Sequence, residues 1–312
     1  MSPVYQLSPS SPQVILLAGA SGLVGTALHL HLVVRGHEVR RLVRRPADQP
    51  GEFYWDPEQG RFDDHALSGV STVINLAGAN VAEGRWTEAR RHLIMSSRVD
   101  STRTLVEAMA RVTPRPRRLI NASAAGFYGD TVGHAVDESA ARGHGFLADV
   151  CRAWEAEAGR AEQFGISTVR LRLGVVLSRE GGALAKMLPL FRLGLGGRLG
   201  QGTQGMSWIA LADLLRVFDF LIARESLVGA VNAVAPRPVS NAEFTQALAR
   251  VLGRPAVLPA PSWALRLVFG AMANETLLAD SRVLPGRLQA EGFAYHHPDL
   301  AEGLAAALAE TS

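Results

Sequence analysis

Apolar residues in this chain alternate between two arrangements. Short runs rich in apolar residues, unbroken at Val14–Ala18 and Phe53–Trp55, occur at those two segments and at Val39–Val43, Ser71–Leu76, Arg118–Ala122, Ile166–Leu173 and Val231–Val234. Runs of that length, bounded by turn residues, predict buried strands. Between them apolar positions recur every three or four residues. Leu23, Ala27, Leu30 and Val34 mark one predicted helix, ended by Gly36. Leu93, Val99, Leu105 and Met109 mark a second, from about Thr87 to Val112, before Pro114 and Pro116 break the chain. Leu147, Cys151, Trp154 and Ala158 mark a third, from about Phe146 to Phe164. Regular alternation of strand and helix predicts an α/β fold: a Rossmann-like, doubly wound parallel sheet with helices on both faces.

Beyond Val176 the texture changes. Gly181 and Gly182 open a helix carrying Lys186 and Met187, and a glycine-rich connector runs from Leu190 to Gly202. Met206–Asp213 reads as a strand entering a helix. Ser240 is placed to cap a helix over 242–252, and two more helices are predicted near 261–272 and 299–309.

The chain has 312 residues, 47% hydrophobic and 20% charged, enough for one large or two modest domains. No apolar run approaches membrane-spanning length. Residues 1–12, rich in Ser and Pro, read as a disordered extension rather than a signal peptide. Cys151 is the only cysteine, which fits a reducing, cytoplasmic setting. The net charge of +3 comes from scattered arginines, with no basic block to suggest nucleic acid and no membrane partner. Lys186 is the single lysine.

The first strand ends in Gly19-Ala-Ser21-Gly22-Leu23-Val24-Gly25, immediately before a helix. A strand, a glycine-rich turn and a helix in that order predict a dinucleotide site. Gly19 would allow the tight turn, Gly22 close approach of backbone to a pyrophosphate, and Gly25 close helix packing. Arg44 and Arg45 follow the second strand, where an NAD site usually carries an acidic residue. Guanidinium groups there suit a 2′-phosphate, so the expected cofactor is NADP(H), preferred over NAD(H). Arg98, well inside the second helix, either reaches back towards the phosphates or is an ordinary surface arginine. No metal-ligand set is assigned.

These residues, with Asn75-Leu76-Ala77-Gly78, Ser123, Tyr128-Gly-Asp130 and Val231-Asn-Ala-Val234, resemble the extended short-chain dehydrogenase/reductase superfamily of NAD(P)-dependent epimerases and dehydratases. Arg85-Trp86, Ser97-Arg98, Trp154-Glu155, Arg172–Leu177, Trp208-Ile209 and above all Met187–Gly197 are similar to its atypical "epimerase family protein" branch. The resemblance implies an NADP-binding domain over 13–176 plus 207–235. It also implies a smaller C-terminal substrate domain over 177–206 plus 236–312, and a homodimer through the two long helices. Cofactor contacts are then expected from Gly19, Ser21, Gly22, Leu23, Val24, Gly25, Arg44, Arg45, Leu76, Ala77, Gly78, Arg98, Ser123, Leu173, Gly174 and Val175. Catalytic roles would fall to Ser123 and Tyr128.

The departures carry as much weight. Most of the superfamily uses a Tyr-x-x-x-Lys pair, in which the lysine lowers the tyrosine pKa. Here Tyr5, Tyr54, Tyr128 and Tyr295 are followed four places on by Pro9, Glu58, Val132 and Asp299. The helix where the pair should lie carries Leu147 and Cys151. Histidine, common after Trp-Ile in the branch, is replaced by Ala210. Losing an acid/base group costs roughly 10²–10⁴ in rate without abolishing catalysis by positioning. In the remaining chemistry Ser123 would hydrogen-bond a substrate carbonyl and Tyr128 supply a proton. Asp130, Asp137, Glu138 and His144 stand in reserve, and Cys151 reads as a small hydrophobe. Two functions follow. One is an NADP(H)-dependent oxidoreductase or epimerase-like enzyme acting on a small carbonyl or hydroxyl compound. The other is a sensor or scaffold that binds NADPH without turning it over.

Overall fold

The computed structural model describes residues 11–309, so most of the 1–12 extension lies outside the described residues. In chain order the strands are β1 (Val14–Ala18), β2 (Glu38–Val43), β3 (Glu52–Asp56), β4 (Arg61–Phe62), β5 (Thr72–Asn75), β6 (Arg118–Ala124), β7 (Ser167–Leu173), β8 (Val175–Leu177), β9 (Gly205–Met206), β10 (Trp208–Ala210), β11 (Gly229–Ala233) and β12 (Val239–Ser240). The helices are α1 (Leu23–Val34), α2 (Glu88–Arg111), α3 (Phe146–Gly159), α4 (Gly182–Arg192), α5 (Leu211–Ala223), α6 (Asn241–Leu252), α7 (Ser262–Phe269), α8 (Gly286–Ala290) and α9 (Leu300–Ala309).

An eight-stranded sheet in the order β11-β7-β6-β5-β1-β2-β3-β4 organises the molecule. Its pairings are parallel except at β4, which closes one edge against β3 as a short antiparallel strand. β1 shows why the unbroken apolar runs are strands. Ile15 and Leu17 enter one core with Leu28 and Leu32 of α1 and Leu214 and Phe218 of α5. Leu16 and Ala18 enter the opposite core with Leu105 and Met109 of α2 and Ala158 of α3. A strand buried on both faces has no need of polar alternation.

Several helix faces differ from the expected ones. On α1 the buried positions are Gly25, Leu28 and Leu32, whereas Leu30 and Val34 are 61% and 85% exposed. The helix is apolar nearly all round, so periodicity alone does not choose its face. What fixes it is the close approach of Gly25 to the strand-end turn. On α2, Ile94 is buried while Leu93 is exposed. The third helix ends at Gly159, and a tighter 3-10 turn, Arg160–Phe164, continues it. The helix expected over 261–272 stops at Phe269, and a π turn, Ala273–Leu277, follows.

Part of the chain after β7 forms a further layer, while α5 and β11 return to the main sheet. β8 and β10 pair in parallel. Leu177, Trp208, Leu184, Phe191, Phe244, Leu248 and Leu304 join β8, β10, α4, α6 and α9 in one apolar cluster. Ser240 caps α6: its hydroxyl accepts from the Glu243 amide while the Glu243 carboxylate returns to the Ser240 amide.

Candidate functional site

The carboxyl ends of β1, β5, β6 and β7 open onto one cavity of about 370 Å³. That is where doubly wound sheets receive ligands. Its floor begins at the glycine turn. Gly19 has φ +80°, and a Cβ there would lie 2.6 Å from the Leu76 carbonyl carbon. A Cβ on Gly25 would lie 2.1 Å from the Gly19 oxygen, so α1 reaches the strand only because that residue is glycine. Gly22 differs: an added Cβ would meet only the Gly19 oxygen, at an ordinary 3.5 Å. No packing inside the protein demands glycine there.

The helix start faces the same cavity. Gly22 is the N-cap of α1 with no side-chain cap, and no acidic residue occupies the first turn. By contrast, Thr87 caps α2, with Glu88 in its first turn. The first amides of α1 are therefore left for an anion, with the helix dipole behind them.

Of the expected residues, Gly19, Gly22, Leu23, Val24, Gly25, Leu76, Gly78, Arg98, Ser123, Leu173 and Gly174 line this cavity together. Others do not. Ser21 stands exposed on the turn. Ala77 packs into the core beneath, its amide donating to Asn75 Oδ1 at 3.1 Å. Val175 faces the Trp208 cluster, and Val176 takes the cavity position instead. The two-residue alternation of β8, counted from Gly174, contains that answer. Arg44 and Arg45 lie just past β2, beside the cavity rather than in it. They are not equivalent. Arg45 binds Asp48 and the buried Glu52, each at 2.7 Å. Arg44 is exposed, without a hydrogen bond or ion pair among the described residues.

Tyr128 requires a correction. It is 4% exposed and absent from the cavity wall. Its hydroxyl donates to Asn232 Oδ1 at 2.9 Å and accepts from Arg172 at 2.8 Å. Burial pushes its phenol above the ordinary range, against the pull of Arg172. In this structure the hydroxyl is bonded within the protein on both sides. The reserve groups are equally committed. Glu138 accepts the Asn232 and Arg287 amides, Asp137 accepts Ser139, and Asp130 accepts the Val132 amide. His144 is exposed. None of the four lines the cavity.

Ser123 does line it, but with a polarity opposite to the expected one. Its hydroxyl lies 2.7 Å from Glu155 Oε1. The Glu155 carboxylate accepts from Arg172 Nε and Nη2 at 2.8 Å each. An ionised carboxylate only accepts, so Ser123 must donate to it. What the serine has left to offer the cavity is an acceptor. The Arg172 guanidinium also lies 3.4 Å from the centre of the Phe127 ring, which helps hold it without water.

Glu155 and Arg172 were not among the expected site residues. A single acid in an apolar helical stripe and a basic residue inside an apolar strand were the available signal for a buried pair. α3 also supplies Leu147, Val150, Cys151 and Trp154 to the wall. Burial pushes the Cys151 thiol up to about 11, so it stays protonated at neutral pH. Trp154 is fixed by its Nε1, which donates to Thr102 Oγ1 at 2.9 Å. The first turn of α3 is held from outside, for the Leu147 amide donates to Glu275 Oε2 at 2.9 Å.

The family model for the NAD dependent epimerase/dehydratase family matches residues 15–233. A domain of unknown function, DUF1731, matches residues 260–307. The chain is 46% identical over 291 residues to epimerase family protein Mb2239 of Mycobacterium bovis, covering 93% of this chain and 96% of that one. It is similar to the crystal structure of human epimerase family protein SDR39U1 (isoform2) with NADPH, with TM-score 0.87 and 34% identity over 95% of this chain and 100% of that one. The nucleoside-diphosphate sugar epimerase of Corynebacterium glutamicum superposes with TM-score 0.78 at 35% identity, over 96% of this chain and 58% of that one. With its parallel sheet, its glycine turn and a family match spanning the first strand to β11, this chain belongs to the NAD-dependent epimerase/dehydratase family.

Proposed function

We propose that the protein binds NADP(H) along the carboxyl ends of its central strands and acts on a small carbonyl or hydroxyl compound. The observation that carries the cofactor is Gly22. Its glycine is unexplained by packing, beside an uncapped helix start, and is accounted for by a pyrophosphate against the backbone. Gly19 and Gly25 keep that turn close to the sheet. Arg44, without a hydrogen bond or ion pair among the described residues, takes the 2′-phosphate, while Arg45 braces the loop against Glu52. When bound, the nicotinamide supplies or takes up hydride. Ser123, polarised by Glu155, accepts a hydrogen bond from a substrate hydroxyl and orients it. Leu147, Val150 and Val81 exclude water from that end of the cavity.

A second reading rests on a specific observation. The cavity wall presents no group that titrates near neutrality: Cys151 is pushed up to about 11 and Tyr128 lies elsewhere. That favours a protein which binds NADPH without turning it over.

Titration with NADPH and NADH, followed by nicotinamide fluorescence, tests the cofactor assignment. One charge-assisted contact from Arg44 favours NADPH by about tenfold to a hundredfold, and Arg44→Asp removes the preference. Equal affinities in the wild type refute the role of Arg44, and failure to bind either nucleotide refutes the whole reading. Consumption of bound NADPH on adding carbonyl compounds separates enzyme from sensor.

A further inference from the structure

Arg98 lines the cavity as a cation with no paired carboxylate among the described residues. Its Nη1 donates to the Ala79 and Ile94 carbonyls, both at 3.0 Å. Its Nε and Nη2 have no hydrogen-bond partner, and no carboxylate lies within ion-pair distance among the described residues. Glu155, the acid on the neighbouring helix, is taken by Arg172 and Ser123. Another cation, Arg90, acts against Arg98, and burial pulls its guanidinium pKa down to about 10. The group is nevertheless built into place. Its guanidinium carbon lies 5.1 Å from the Trp154 ring centre, and that ring is pinned through Thr102. A Cβ on Gly78 would approach the same carbon to 3.1 Å.

A half-buried guanidinium on a cavity wall, with free donors and no paired carboxylate, is a ready site for an oxyanion. We propose that Arg98 receives an oxyanion of the substrate, so that the substrate class is a small compound carrying a carboxylate or phosphate near its reacting hydroxyl or carbonyl. This rests on NADP(H) occupying the glycine-turn end of the same cavity. Two observations favour substrate over the cofactor's own pyrophosphate. The turn above β1 already has the uncapped amides of α1 to meet phosphates. Arg98 instead rises from α2 and stacks on Trp154 of α3, with its guanidinium beside Gly78, in a cavity whose wall also includes Val81, Leu147, Val150 and Ser123. One donor fork and one acceptor beside an apolar wall suit a hydroxy or oxo acid better than a neutral alcohol or ketone.

The test is calorimetric and needs no turnover. Wild-type protein saturated with NADP⁺ is titrated with acetate, pyruvate, benzoate and inorganic phosphate, and with acetone as the neutral control. Saturable binding of a carboxylate or of phosphate, at least tenfold tighter than acetone, is expected, and which of them binds identifies the anion. Arg98→Gln should lower that affinity at least tenfold while NADPH affinity stays within threefold, and Arg98→Lys should recover part of the loss. Thermal melting establishes that both variants are folded. Should Arg98→Gln weaken NADPH tenfold and spare the anion, the residue serves the cofactor and the proposal falls. It falls equally if the NADP⁺-loaded wild type binds none of the anions. Failure to bind NADP(H) at all is a separate result, which removes the parent reading.

Discussion

Removing the carboxylate of Glu155 should cost the protein a large share of its stability. Three donors meet it: Arg172 Nε and Nη2 at 2.8 Å each, and the Ser123 hydroxyl at 2.7 Å. The ionic side chains are 9% and 5% exposed, so solvent does little to screen them. Glu155→Ala leaves Arg172 as a buried charge with only Tyr128 and the Phe127 ring beside it. Stranding one member of a buried pair costs about 3–5 kcal/mol. A domain is commonly stable by about 5–15 kcal/mol, so the variant should be marginal, with its denaturation midpoint sharply lowered. Removing both partners, as Glu155→Ala with Arg172→Met, should be markedly less harmful than the sum of the single changes, because no unpaired charge remains. Urea denaturation of the two single variants and the double variant reads this directly. A loss below about 1 kcal/mol for Glu155→Ala, or strict additivity in the double variant, would show that the pair is solvated and the reasoning wrong.

The glycines separate packing from binding. Gly25→Ala drives a methyl into the Gly19 oxygen and should destabilise by about 1–3 kcal/mol as well as abolish nucleotide binding. Gly22→Ala should leave the melting temperature nearly unchanged yet weaken NADPH at least tenfold; unchanged affinity in a folded variant would mean that no ligand approaches there. Burial raises the folded-state Cys151 pKa from 9.0 to about 11, so its contribution is complete below pH 9 and is lost as the pH rises towards 11. On the order of 2 kcal/mol should disappear over that interval, and Cys151→Ala should flatten that part of the pH–stability curve.

The sheet was legible because its signal is redundant. Every residue of β1 is apolar, so no register needs to be guessed there, and a glycine turn punctuates its end. Helix faces were less legible: Leu30 and Val34 of α1 are as hydrophobic as Leu28 and Leu32, and only the contact at Gly25 tells them apart. In the site, the sequence located the backbone features well and the side-chain roles poorly. Tyr128 lies in a suggestive motif, but whether its hydroxyl meets a ligand depends on Arg172 and Asn232, both more than forty residues away in sequence. The polarity of Ser123 likewise comes from Glu155, a contact made only when β6 and α3 meet. Spacing along a chain can place a residue at a strand end without saying which way its proton points.

The hydrogen bond from the Leu147 amide to Glu275 has its own consequence. α3 supplies Leu147, Val150, Cys151 and Trp154 to the cavity, yet its first turn is fastened by a carboxylate from the π turn of the C-terminal region. Opening of that region and rearrangement of the wall are thus thermodynamically linked. A ligand that grips the wall tightens the C-terminal segment, and the same coupling free energy runs in reverse, so any molecule that captures the segment in its docked form raises the affinity of the cavity.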